Sequence, residues 1–126
     1  MQRDSIDEAG IAALVAGFYG RARQDALIGP VFEAAIEDWD HHLARLTDFW
    51  SSVTLSTGRY KGNPFGAHRP LPLAPPMFER WLSLWRETAH DVFTPPVAAS
   101  LIQKAELIAS SLRMGLFGLA DAKPQT

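Results

Sequence analysis

Gly58-Arg59-Tyr60-Lys61-Gly62-Asn63-Pro64-Phe65-Gly66-Ala67-His68-Arg69-Pro70-Leu71-Pro72-Leu73-Ala74-Pro75-Pro76 decides how the rest of the chain reads. Three glycines and five of the nine prolines fall in this stretch. Glycine bends the backbone and proline fixes it, so an irregular but rigid connector is expected. Connectors of this length are uncommon inside a compact domain and often carry function.

Helical spacing lies on either side of it. Upstream, Ser5 can cap a helix, with Glu8 completing a capping box. Ile11, Leu14, Val15, Phe18, Tyr19 and Ala22 then recur at helical intervals. Gly29-Pro30 marks the end of that unit, and Val31 through Ile36 gives one or two helical turns. Asp38 or Asp40 can cap the next helix, whose stripe is His42, Leu46, Phe49 and Val53. Leu43 and Trp50 lie beside the stripe, and Thr57-Gly58 closes it. Downstream, Pro75-Pro76 opens a helix with the stripe Phe78, Trp81, Leu82, Trp85, Ala89 and Val92. Thr94-Pro95-Pro96 breaks and restarts the chain. Val97, Leu101, Ala105, Ile108 and Leu112 form the last stripe, with fraying expected near Gly115–Gly118.

No segment alternates as a strand does. The fold class is therefore all-α, with four main helices and one long connector before the third. A length of 126 residues fits one domain spanning 1–126, with an ordered core of about 5–118 and a flexible tail at 119–126.

Composition narrows the function. The chain is 47% hydrophobic, enough for a packed core, with a net charge of −2. That balance argues against a broad basic face for nucleic acid or anionic lipid. No apolar run approaches the ~20 residues of a membrane-spanning helix, and the first residues lack a signal peptide's apolar segment. A cytoplasmic location is the expectation. Cysteine is absent, which removes disulfides, thiolate metal sites, catalytic cysteine and the cysteine-linked haem motif. Seven Phe, four Trp and two Tyr in so short a chain need something large to pack against.

Four histidines are the richest source of chemistry. His41 and His42 are adjacent on a helix, so they point about 100° apart. His42 is on the apolar stripe, and its plain alternative is a core histidine. His41 and His90 are expected in solvent. His68 sits in the connector, where neighbouring Gly and Pro would fix its orientation as a metal ligand requires. Its plain alternative is a loop histidine bonded to backbone. Tyr19 lies on a buried stripe, where its hydroxyl needs a partner. Trp81 and Trp85, at i and i+4, suit a core as well as a cofactor wall.

Common catalytic motifs are missing: no Gly-x-Ser-x-Gly, P-loop, GxGxxG or His-Glu-x-x-His. Two well-placed histidines cannot make a three-ligand zinc site without a carboxylate that the spacing does not supply. A cofactor bringing most of its metal's ligands removes that difficulty. Haem iron takes four ring nitrogens and needs one protein ligand, commonly histidine, within a large, flat, apolar space.

A family resemblance then rests on strings taken in order. These are Phe18-Tyr19, Leu27-Ile28-Gly29-Pro30-Val31-Phe32 and Asp38-Trp39-Asp40-His41-His42-Leu43. They continue with Asp48-Phe49-Trp50-Ser51-Ser52-Val53 and Thr57 through Phe65. His68, Leu71-Pro72 and Arg80 through Trp85 complete the set. Over residues 6 to 115 the chain resembles the group III truncated haemoglobins of bacteria. The resemblance implies a two-over-two helical sandwich around one b-type haem. By resemblance, His68 is the proximal iron ligand. Tyr19, His42 and Trp81 are distal residues, joined by Phe18. Phe32 packs on the haem face, with Leu46, Phe49 and Trp85 as further haem-contacting surfaces. Arg45 faces a propionate; Arg59, Tyr60 and Arg69 are weaker propionate candidates. Met77-Phe78 departs from a His-Phe pair common in relatives.

The function this implies is reversible binding of O2, NO, CO or similar ligands, at iron that is five-coordinate or weakly six-coordinate. Tyr19 and Trp81 would donate hydrogen bonds to the ligand, while His42 could be a third donor, a gate or a sixth ligand. An alternative is turnover, as an NO dioxygenase or a peroxidase-like enzyme, which needs a separate reductase. A haem-free helical interaction domain is the third reading.

Overall fold

Asp7 ends the extended N-terminal segment and starts α1 (Glu8–Ala22): its carboxylate accepts from the Gly10 N–H at 2.7 Å. Asp7 therefore takes the cap position that the sequence reading gave to Ser5. The computed structural model describes residues 2–118. The expected flexible tail at 119–126 lies outside them.

After α1 the chain turns back sharply. A Cβ on Gly29 would stand 2.7 Å from the Arg23 carbonyl oxygen, so only glycine fits this close approach. Gly29 opens α2 (Gly29–Ala35), with Pro30 in its first turn. Asp38, not Asp40, caps α3 (Trp39–Leu55), accepting from the His41 N–H at 3.1 Å. Ser56 ends α3 in the left-handed region, at φ 58°.

Part of the connector is helical. Asn63 caps α4 (Pro64–His68), its side chain accepting from the Gly66 N–H at 3.1 Å. Pro64 occupies the first helical position, where its missing N–H costs nothing. Pro75-Pro76 starts α5 (Pro75–Val92), and Pro95-Pro96 starts α6 (Pro95–Phe117). α6 ends at Phe117, inside the Gly115–Gly118 stretch where the sequence placed its end, and Leu116 and Phe117 still pack against the core.

The long helices pack as α1 with α3 and α5 with α6, joined through α1 and α5. Ile11, Leu14, Phe18, Trp85, Phe93 and Leu101 are among the fully buried side chains at the centre. Burying each large apolar group stabilises by about 1.5–3 kcal/mol. Polar groups there are satisfied: the Trp85 indole N–H donates to the Leu101 carbonyl at 3.3 Å. Thr88 donates to the Leu84 carbonyl and accepts from Arg21. Arg3 bridges the N-terminal segment to the α5–α6 junction through bonds with Val92 and Thr94. Among the described residues no helix is long and apolar enough to cross a membrane.

Candidate functional site

A cavity of about 490 Å³ opens between α1, α2, α3, α4, α5 and α6. That lies within the roughly 300–1,000 Å³ of cofactor and small-molecule sites. Its lining gathers Phe18 and Tyr19 from α1, Phe32 from α2, and His42, Arg45, Leu46 and Phe49 from α3. Tyr60 and His68 come from the connector, and Trp81 and Trp85 from α5.

His68 ends the short α4 helix, and its Nδ1 lies 2.6 Å from the Pro64 carbonyl oxygen. A carbonyl only accepts, so Nδ1 carries a hydrogen, and in the neutral ring Nε2 then keeps its lone pair. This tautomer and ring orientation suit a metal ligand. The cap at Asn63 and the proline at position 64 fix the turn that supplies the carbonyl.

The opposite chemistry meets at α1 and α3. The Tyr19 and His42 rings contact edge to face at 5.4 Å. Burial pushes the Tyr19 phenol well above its ordinary range, so it is a neutral O–H donor. Burial, with lesser repulsion from Arg45, His41 and His68, lowers the His42 pKa, so the neutral ring is favoured. His42 Nε2 is buried without a hydrogen-bond partner. Phe18 touches Trp81 at 5.6 Å and Trp85 at 5.5 Å between centroids. Trp81 stacks on Trp85 at 5.5 Å, and Trp85 on Trp50 at 4.3 Å. This layered wall fixes where the Trp81 indole lies. Tyr19 also meets Phe32 at 5.2 Å.

Arg45 stands one turn beyond His42, over the Tyr60 ring at 5.5 Å. It has no ion pair with a carboxylate among the described residues, so its charge is open to an anionic group at the rim. Arg59 is placed elsewhere. Its guanidinium donates to Glu8 at 2.7 and 2.9 Å, to Asp48 at 3.0 Å and to Ser51 at 3.0 Å. Those bonds satisfy the fork and hold it away from the cavity lining. Arg69 is exposed and also lies outside the lining.

Other lining residues had no site role in the sequence reading. Ile108, Ala109 and Leu112 of α6 close one wall, and Leu71 and Leu73 another. The α6 spacing was visible as a stripe, but a stripe does not distinguish a core from a cavity wall. Trp39 was also unassigned; it contacts Tyr19 at 5.7 Å and His42 at 5.8 Å.

Among the described residues no group of three or more His, Asp and Glu is placed to hold a metal ion. A single prepared imidazole facing an apolar cavity suits a metal that brings its own ring of ligands. Over 122 aligned residues the chain is 34% identical to the group 3 truncated haemoglobin of Campylobacter jejuni, covering 93% of this chain and 96% of that protein. This chain belongs to the group 3 truncated haemoglobins. The crystal structure of the group III truncated haemoglobin from Campylobacter jejuni matches it with a TM-score of 0.89, at the same identity and coverage. No family model matches the chain.

As a truncated haemoglobin the chain has the all-α globin architecture, and the family implies haem. The residues present fit that group. His68 has Nε2 to offer, His42 Nε2 is an orphaned buried polar atom, and the walls are mainly aromatic and aliphatic. Without cysteine the cofactor would be held by one axial bond, packing and propionate contacts alone.

Proposed function

We propose that this truncated haemoglobin holds one b-type haem through His68 and reversibly binds O2 and related diatomic ligands such as NO and CO. The observation that carries the reading is the His68 Nδ1–Pro64 carbonyl bond of 2.6 Å, which leaves Nε2 free for iron. Haem, when bound, supplies the iron that ligates the diatomic molecule.

The chain's own residues do the rest. His68 holds the metal and is kept in one tautomer by Pro64. Tyr19 and Trp81 present an O–H and an N–H inside a low-dielectric pocket, where donors to partial negative charge count for more. His42, its neutral ring favoured and its Nε2 buried, offers a third polar group. Phe18, Phe32, Phe49 and Trp85 exclude water. Arg45 and Tyr60 stand where propionates would be met.

Haemin titration tests this. One haem per chain and a globin-like Soret band are expected. His68→Ala should alter the ferric, ferrous and CO spectra, and added imidazole should restore them. An unchanged His68→Ala spectrum would sink the axial assignment.

A further inference from the structure

His42 borders two spaces. One is the main cavity; the other is an open recess lined by Glu37, Asp38 and His41, and Ala35, Ile36, His42 and Arg45 line both. Nε2 of His42 is buried without a hydrogen bond, so packing fixes the ring rather than a bond at that atom. Two neighbours supply that packing edge to face: Tyr19 at 5.4 Å and Trp39 at 5.8 Å.

Trp39 is itself clamped. It lies at the first position of α3, three residues before His42 and so on the same helix face. The Arg23 guanidinium sits over the Trp39 ring, 4.1 Å from its centroid. Arg23 Nε is held by Glu33 Oε1 at 2.8 Å, which ties the clamp to α2. Trp39 is not part of the cavity lining, so any effect on a ligand passes through the lining rings it meets: His42, Tyr19 and, at 6.5 Å, Phe32.

We infer that Trp39, held by Arg23 and Glu33, is a positioning residue that keeps His42 turned into the cavity and so sets how fast ligands pass between recess and cavity. An outward swing of His42 breaks its contacts with Tyr19 and Trp39, and Trp39 cannot follow while Arg23 covers it. Arg23 and Glu33 are both about half exposed, so the latch is tunable from the surface without touching the cavity. The inference rests on the haem and ligand reading above.

CO rebinding after flash photolysis tests it in the holoprotein. Arg23→Gln and Glu33→Gln should speed association about two- to fivefold, the scale of one exposed cation–π contact. Trp39→Ala should speed it about tenfold or more, since it removes several ring contacts, whereas Trp39→Phe should stay near wild type. In a His42→Ala background the Arg23→Gln change should have no further effect. The infrared C–O stretch, which reports polar groups near the ligand, should broaden or split in Arg23→Gln. Unchanged rates and bands in Arg23→Gln, or equal acceleration with and without His42, would overturn the latch. The Soret band separates the two readings. If the wild type takes up no haem, the ligand-binding reading fails and the latch falls with it. If haem binds normally and rates stay fixed, the latch alone fails.

Discussion

A methyl group on Gly115 would stand 2.6 Å from Cε1 of Phe65. Gly115 lies on α6 and Phe65 on α4, three residues before His68, so the helix carrying the proposed axial histidine rests on a glycine seat. Gly115→Ala forces the Phe65 ring to move. Overpacking costs typically about 1–3 kcal/mol, against about 1 kcal/mol gained in helix propensity. A net loss of about 1 kcal/mol and a shifted iron–histidine Raman band are expected. Phe65→Leu should relieve both. A variant that melts higher with an unshifted band would show that α4 does not depend on this seat.

Tyr19 and Trp81 are read as hydrogen-bond donors to the ligand. Losing one bond of ~1–2 kcal/mol should speed O2 release roughly five- to thirtyfold. Stopped-flow displacement in Tyr19→Phe and Trp81→Phe measures this. Unchanged release in both would remove them from ligand stabilisation.

Arg45 leans over Tyr60 at the rim with no carboxylate paired to it among the described residues. An exposed ion pair contributes about 0.2–1 kcal/mol, so Arg45→Ala should speed haem loss up to about fivefold. Transfer to an excess of a haem-scavenging protein gives the rate. Arg59→Ala should leave haem loss unchanged, because its guanidinium is already engaged by Glu8 and Asp48.

His42 predicts a pH dependence. Burial lowers its pKa below the ordinary 6.5, whereas the unfolded chain keeps that ordinary value. Unfolding therefore takes up a proton as pH falls below 6.5. This contribution is complete above pH 6.5 and is lost as pH drops towards the depressed folded value. Melting temperatures of wild type and His42→Leu, compared from about pH 7.5 down to pH 5.5, should show a steeper acid loss in the wild type. Parallel curves would mean that His42 titrates alike folded and unfolded.

The long helices were legible because each shows one apolar stripe bounded by a strong signal, such as Pro75-Pro76 or Thr94-Pro95-Pro96. Asp7 displaced Ser5 as a cap because both residue types can cap and only the chain's path chooses between them. The α4 turn was hidden because Asn63-Pro64 can open a helix or a turn, and five residues are too few to show a period. Tyr19, His42 and Trp81 were visible as polar or amphipathic groups on apolar stripes. Arg59 resembled a rim residue because a sequence does not reveal that Glu8 lies within its reach, 51 positions away. Trp39 shows the same limit, since its neighbours come from α1, α2 and α3 together.

The stack of Trp50, Trp85 and Trp81 has an optical consequence. Trp81 and Trp85 line the cavity, and Trp50 does so behind them, while Trp39 meets three of the lining rings, Tyr19, Phe32 and His42. All four of the chain's indoles thus sit on or against the proposed haem site. Porphyrin absorption overlaps indole emission, so energy transfer should darken nearly all intrinsic fluorescence when haem arrives. The chain carries a built-in gauge of its own loading, readable without a label.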